Sequence, residues 1–358
     1  MSQRSGQLAC SGGVGPFQPQ PNRGDRQVMR PLRILTWHVH GNYLYYLSHA
    51  GHEFYLPVRP GRHEGHGGRG GSFPWADNVI DVPAEALKTM DFDCILFQSR
   101  RNYCEDQYAI LSRSQQRLPR IYVEHDPPRE HPTDTWHPVD DPDVLLVHVT
   151  QFNNLMWNNG RTPTRVIEHG VVVPEGVRYK GDIARGLVVI NNLPARGRRL
   201  GADVFERVRA LVPLDLVGMD SKALGGLGEV PPPQLPAFAA SYRFFFNPIR
   251  YTSLGLAVCE AMMIGMPIIA LATTEMVTVV ESGVSGYLDT SVDKLTVRMR
   301  ELLDDPDGAR ALGRLARCHA EKRFAITRFA RDWDDAFALV TGMTTSTHGF
   351  LVSGRAAS

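Results

Sequence analysis

The sequence holds little that would carry the chain into a membrane, onto nucleic acid or into an oxidising compartment. No apolar run approaches the roughly 20 residues that a spanning helix needs. Lys and Arg number 39 against 38 Asp and Glu, a net charge of +1, so there is no basic field of the kind nucleic acid demands. The first thirty residues lack the apolar h-region of a secretory signal. Five cysteines, at positions 10, 94, 104, 259 and 318, are scattered, fit no metal-ligand spacing and leave one over from any pairing. Reduced cytosolic thiols are the simplest reading of that pattern. His38, His40, His63 and His66 lie in or near Gly-rich sequence that offers no rigid ligand geometry, so no metal site is expected.

What is present is enough apolar material for two domains: 358 residues, 43% of them hydrophobic. Residues 1–30, rich in Gly, Gln, Pro and Arg, read as a disordered leader. Met29 offers a second start just before the first strand pattern. Short continuous apolar runs follow at 33–37, 53–58, 94–98, 121–124, 144–149 and 166–167, separated by helical patterns such as 42–50 and 102–114. A second series of runs lies at 187–191, 214–217, 244–247, 267–271 and 287–288, with helices at 201–211, 233–240, 254–264 and 292–303. Continuous rather than alternating apolar strands are those of parallel sheets covered on both faces. The repeated strand–helix–strand unit predicts an α/β protein with two doubly wound parallel sheets. The two domains span 31–172 and 185–322, with a linker at 173–184. Residues 61–72 form a Gly-, His- and Arg-rich loop, expected to be mobile. Residues 312–340 read as helical, with Phe324, Phe329, Trp333 and Phe337 on one face, and 342–358 as a tail.

The stretch from Asn247 to Ala270 carries the most chemistry. It reads as strand end, glycine-containing loop, short helix, turn and buried strand. A loop that opens a helix presents unpaired N–H groups and the positive end of the helix dipole, which suits phosphate. The backbone of Ser253, Leu254, Gly255 and Leu256 is the candidate cradle. Glu260, about two turns in, can accept hydrogen bonds from ribose hydroxyls. Phosphate with ribose means a nucleotide. The plainer reading of Glu260 is a carboxylate complementing the helix dipole.

This stretch resembles the donor-binding signature of the retaining GT-B glycosyltransferases of glycosyltransferase family 4, the group 1 glycosyl transferases. Gly255-Leu256, Glu260-Ala261-Met262, Gly265 and Pro267 fall in that pattern's register. The pattern has a second glutamate eight residues before Glu260, where this chain has Thr252. Further matches are Val166–Val171 at the domain junction, Glu275–Leu288, Leu302–Pro306, and Glu321–Phe324 with Trp333. Weaker ones are Arg33-Ile-Leu with Gly51-His-Glu-Phe, and Ile121–Asp126. Only Gly41 stands where a glycine pair often follows the first strand.

The resemblance implies a GT-B architecture with two Rossmann-like domains facing across a cleft. The first would take the acceptor and the second the nucleotide sugar, and a final helix, 323–341, would cross back to the first. It also implies a transfer that retains anomeric configuration, with no metal and no cofactor beyond the nucleotide sugar as substrate. Such a transfer must stabilise the departing diphosphate, and fixed donors aimed at it are the largest available term. Arg196, Arg198 and Arg199 stand where the family has a diphosphate clamp; guanidinium forks suit phosphate oxygens. Which of the three serves is open, and a solvated basic loop is the alternative. His125 stands where many members carry a histidine beside the donor sugar; a satisfied strand-end histidine is its alternative. Thr252 keeps one hydroxyl and no charge where the family contacts the sugar, and a downstream Thr274-Glu275 could reach the sugar instead.

The expected function is transfer of a sugar from a nucleotide sugar to a glycan or lipid-linked acceptor, in surface polysaccharide or lipopolysaccharide biosynthesis. The place would be the cytoplasm, with a peripheral contact at the inner membrane face as an allowed addition and no nucleic-acid partner. A catalytically weak nucleotide-sugar-binding protein is the first rival, suggested by Thr252. A GT-B phosphorylase or epimerase is the second.

Overall fold

A computed structural model describes residues 30–61, 65–70 and 73–343. The leader through Met29 with Cys10, His63, and the tail beyond Met343 lie outside the described residues.

The chain builds two all-parallel sheets. The first holds β1 (Arg33–Thr36), β2 (Glu53–Val58), β3 (Val79–Pro83), β4 (Cys94–Phe97), β5 (Arg120–Glu124), β6 (Val144–His148) and β7 (Thr164–Val166), in the order β3-β2-β1-β4-β5-β6-β7. The second holds β8 (Ile183–Val189), β9 (Leu214–Val217), β10 (Tyr242–Asn247), β11 (Ile268–Leu271) and β12 (Gly286–Asp289), in the order β12-β11-β10-β8-β9. Every residue of β6 and of β10 is buried, as the unbroken apolar runs require. Strand order reverses between β1 and β4 and between β10 and β8. In doubly wound sheets ligands bind at such switch points, beyond the carboxyl ends of the strands.

The helices are α1 (Gly41–Leu47), α2 (Gln107–Ile110), α3 (Gln151–Met156), α4 (Leu193–Arg196), α5 (Ala202–Arg209), α6 (Leu235–Ala239), α7 (Leu256–Ile264), α8 (Met276–Val279), α9 (Val292–Asp304), α10 (Pro306–Arg323) and α11 (Ile326–Thr341). Several segments differ from the sequence expectation: the short helices α4 and α8 were not anticipated, and β8 begins at Ile183, inside the stretch read as linker. β3 was not anticipated: Val-Ile-Asp-Val-Pro is short and ends on proline, which a sheet edge tolerates. The helix expected over 102–114 opens as a π-helical turn, Asn102–Asp106, and stops at Ile110. The single helix expected over 312–340 is two. At the break the Val171 N–H donates to Phe324 O at 3.1 Å, so tertiary pairing takes the chain out of helix between Arg323 and Ile326.

Of the Gly-, His- and Arg-rich loop, residues 65–70 are anchored. The Arg69 N–H donates to Asp81 Oδ1 at 2.7 Å, and His38 Nδ1 lies 2.7 Å from Gly68 O.

The last helix, α11, packs on α1 and β4 of the first sheet. Phe324, Phe329, Trp333 and Phe337 are fully buried there, in one apolar cluster that also takes in Tyr43 and Leu44 of α1 and Val258 and Met262 of α7. The Trp333 indole donates to the Tyr43 hydroxyl at 3.2 Å. Charges staple the same junction. Arg323 pairs with Glu168 at 2.5 Å and Glu275 at 3.2 Å, and Arg328 donates to the carbonyls of Glu168 and His169. Gly170 is required here, because a Cβ would stand 2.2 Å from the Cβ of Phe329.

Candidate functional site

Three loops meet at the carboxyl ends of the switch-point strands: the segment from β1 into α1, the arginine turn after β8, and the loop from β10 into α7. The arginine turn starts on a left-handed Asn192 (φ 54°), which α4 follows at once. Arg198 is committed elsewhere. It pairs with Asp203 at 2.6 Å, and its side chain is 77% exposed. Asp203 also takes both terminal nitrogens of Arg250, at 2.6 and 2.8 Å, and these bonds hold its carboxyl below the usual range. Arg196 and Arg199 are different. Burial, and then the neighbouring Arg199, disfavours the charge on Arg196, while Asp126 opposes that effect. Nη1 of Arg199 is buried without a hydrogen-bond partner. The carbonyl of Arg199 accepts from the N–H groups of Arg250 and Tyr251, at 3.1 and 3.2 Å, which ties this turn to the loop before α7.

That loop is open and uncapped. Gly255 sits at the N-cap in extended backbone with no side-chain cap, and a Cβ added there would meet nothing within 4 Å. The Ser253 hydroxyl is buried without a partner. Thr252 is half-buried beside it. The α7 helix itself is apolar, with one carboxylate, Glu260, on its inner face. Glu260 is only 5% exposed. Its Oε1 accepts from the Tyr46 hydroxyl at 2.7 Å and from Asn42 Nδ2 at 3.3 Å, both on α1 of the first sheet. Burial raises its pKa, and these two bonds oppose the rise.

The first domain faces this loop with histidines. The rings of His40 and His125 lie 4.1 Å apart, and Tyr43 meets His125 edge-on at 4.6 Å. Nε2 of His125 is buried without a hydrogen-bond partner. Burial first, then His40 and His169, hold its pKa well below the ordinary value, so the ring is neutral. His169 Nε2 donates to Leu254 O at 2.9 Å, across the junction, and burial pushes its pKa down to about 4. The Tyr251 hydroxyl donates to Pro128 O at 3.0 Å.

The structure thus gathers His125, Arg196, Arg199, Ser253, Leu254, Gly255 and Glu260 around the facing carboxyl edges, and turns Arg198 to Asp203. It does not leave Glu275 free to reach a sugar. Glu275 is buried, accepts from the Phe152 N–H at 2.8 Å and the Thr278 hydroxyl at 2.7 Å, and pairs with Arg323. Sequence reasoning missed Asn42, Tyr46 and His169. The i, i+4 spacing of Asn42 and Tyr46 puts both on one face of α1 and was the available signal; His169 lies inside the Val166–Val171 match at the junction but was given no role there. Among the described residues no group of three His, Cys, Asp or Glu could hold a metal ion, and no helix is long and apolar enough to cross a membrane.

Comparison with known proteins adds a partial family match and a likeness of fold. Residues 201–305 match the model of the family described as glycosyl transferases group 1. No curated protein matches the sequence. Sucrose-phosphate synthase from Thermosynechococcus elongatus superposes with a TM-score of 0.63 at 16% identity, covering 86% of this chain and 99% of that one. HepE from Anabaena, in complex with UDP and glucose, gives 0.59 at 14% identity over 86% and 99%. AviGT4, a glycosyltransferase of avilamycin A biosynthesis, gives 0.57 at 16% identity over 87% and 98%. At such identities the likeness is one of fold. The chain therefore has the fold of the GT-B glycosyltransferases, and part of its second domain, residues 201–305, matches the model described as glycosyl transferases group 1.

Proposed function

We propose that this chain is a cytoplasmic glycosyltransferase that moves a sugar from a nucleotide sugar to a glycan or lipid-linked acceptor, with retention at the anomeric carbon and without a metal ion. One observation carries the reading. Two uncommitted guanidiniums, Arg196 and Arg199, are tied through the Arg199 carbonyl to an open, uncapped helix start that has a buried carboxylate one turn further in. The guanidiniums and the N–H groups of Leu256 and Ala257 would take up charge on the departing diphosphate. Glu260 would accept from the ribose. Neutral His125, with its unpartnered Nε2, would meet a hydroxyl of the donor sugar. A structure of HepE holds UDP-glucose, which makes UDP-sugars the first donors to try. The role in surface polysaccharide or lipopolysaccharide synthesis, and a peripheral contact with the membrane, follow from the acceptor class and belong to the same proposal.

A second reading, a nucleotide-sugar-binding protein with little turnover, is favoured by Thr252, which brings no charge to the sugar. A thermal-shift screen against UDP-, GDP- and ADP-sugars, followed by turnover assays on the ligands that stabilise the protein, separates the two. Turnover with at least one donor is expected, and Thr252→Glu should change which donor is preferred. Tight binding with no turnover across a broad donor and acceptor panel would establish the second reading. Stabilisation by none of the nucleotides would refute both.

A further inference from the structure

The carboxylate of Glu260 is not held by its own domain. Both hydrogen bonds that reach it come from α1 of the first domain, 214 and 218 residues away in sequence, and both land on Oε1. The other oxygen, Oε2, receives no hydrogen bond from the described residues, yet it is not among the sealed, unpartnered polar atoms. Oε2 therefore keeps some of the small exposure that Glu260 retains. Tyr46 is itself buried, and its hydroxyl has this carboxylate as its acceptor at 2.7 Å. A carboxylate gripped through one oxygen and open at the other presents a fixed lone pair to an incoming hydroxyl. A freely rotating one would have to be immobilised by the ligand.

We infer that Tyr46, assisted by Asn42, is a positioning residue for the nucleotide ribose: from the first domain it fixes Glu260 through Oε1 so that Oε2 meets a ribose hydroxyl. The inference rests on the reading of Glu260 as the ribose ligand. It adds that ribose recognition in the second domain is complete only when the first domain is closed on it. The two domains would then share one donor site rather than dividing donor from acceptor.

The test is Tyr46→Phe, which keeps the ring and its packing and removes only the hydroxyl. Affinities of the purified full chain for UDP, GDP and ADP are measured by calorimetry beside those for the matching 2′,3′-dideoxynucleoside diphosphates. Wild type should prefer the ribonucleotide it binds best over its dideoxy counterpart. Tyr46→Phe should weaken that ribonucleotide about tenfold, the scale of one hydrogen bond to a charged group, and leave the dideoxy compound unchanged. Asn42→Ala should move the ratio the same way by less. If Tyr46→Phe weakens both ligands equally, the hydroxyl is merely structural and the inference is overturned. Tighter ribonucleotide binding overturns it too, because α1 would then be a competitor of the ribose. If wild type binds nucleoside diphosphates without any ribose preference, the reading of Glu260 itself fails, and the inference with it.

Discussion

Two regions of this molecule are rich in arginine and carboxylate, and they use them in opposite ways. At the domain junction Arg323, Glu168 and Glu275 spend their charges on one another and on backbone groups of α3 and α8, while Arg328 pairs with Asp332 and donates to the carbonyls after β7, its Nε alone being buried without a partner. At the loop before α7 the polar groups are left over: Nη1 of Arg199 and the hydroxyl of Ser253 are buried with no partner. Buried polar groups in folded proteins are nearly always satisfied; the Arg199 guanidinium and the Ser253 hydroxyl have no side-chain bond at all and ask for a missing ligand, whereas Arg328, whose Nε is unpartnered, is already held through its other two nitrogens. Charge composition alone would have ranked the junction as the better site. Accounting for partners reverses the ranking.

The largest way to break that contrast is at the junction. Arg323→Ala leaves the buried carboxylate of Glu275 without its cation. Removing one partner of a buried pair is costly, so a loss of about 3 kcal/mol is expected by denaturant unfolding. Nucleoside diphosphate affinity of the folded fraction should stay near wild type. A stable variant that no longer binds nucleotide would place Arg323 in the donor site and undo the comparison.

A pH titration reads the same junction through His169. Burial holds the folded ring's pKa down to about 4; unfolded, it titrates near the ordinary histidine value of about 6.5. Between those values the unfolded chain binds more protons, so stability falls as pH falls. The contribution is complete above about 6.5 and gone below about 4, and at about 1.4 kcal/mol per unit it amounts to about 3 kcal/mol. His125, also depressed, acts in the same direction. His169→Gln, which can still donate to Leu254 O, should flatten the acid limb of the stability curve. An unchanged limb would mean that other groups carry it.

On the donor side the sign of the experiment is opposite. Replacing Arg196 and Arg199 together by Ala should leave unfolding stability almost unaltered, since neither is committed to a partner. The same change should lower nucleoside diphosphate affinity by about 2 kcal/mol more than affinity for the bare nucleoside. Arg198→Ala should cost less than about 1 kcal/mol of stability, as expected for an exposed pair, and little affinity. Equal losses for diphosphate and nucleoside would make the turn structural.

The contrast also marks what could be read from the chain alone. The second sheet, the α7 loop and Glu260 were legible because their signals are local: apolar runs, a glycine at the N-cap, a carboxylate at fixed spacing. The cross-domain bonds were not, because Tyr46 meets Glu260 only through the closure of two domains. The split between α10 and α11 was hidden for the same reason. No glycine or proline marks it, and the break is made by pairing of Phe324 with Val171. Arg198 could not be told from Arg196 and Arg199 until Asp203, four residues past Arg199 and in the first turn of α5, was seen to hold it.

Thr274 lies between the two regions and gives the smallest and most discriminating test. It follows β11 on the donor edge and immediately precedes Glu275 of the junction. Its φ is +50°, left-handed backbone that a β-branched residue rarely adopts. That conformation costs an L-residue about 1–2 kcal/mol. Glycine would relieve it, at about 0.5–1 kcal/mol of added unfolded-state entropy. The balance predicts that Thr274→Gly stabilises the protein by about 0.5 kcal/mol, a small rise in Tm. If the strain serves only to aim Glu275 at the Phe152 N–H, nucleotide affinity should not change, because the glycine backbone can hold the same turn. A more stable variant with weaker nucleotide binding would show instead that the turn is held strained for the ligand. Thr274 would then belong to the donor loop rather than to the junction.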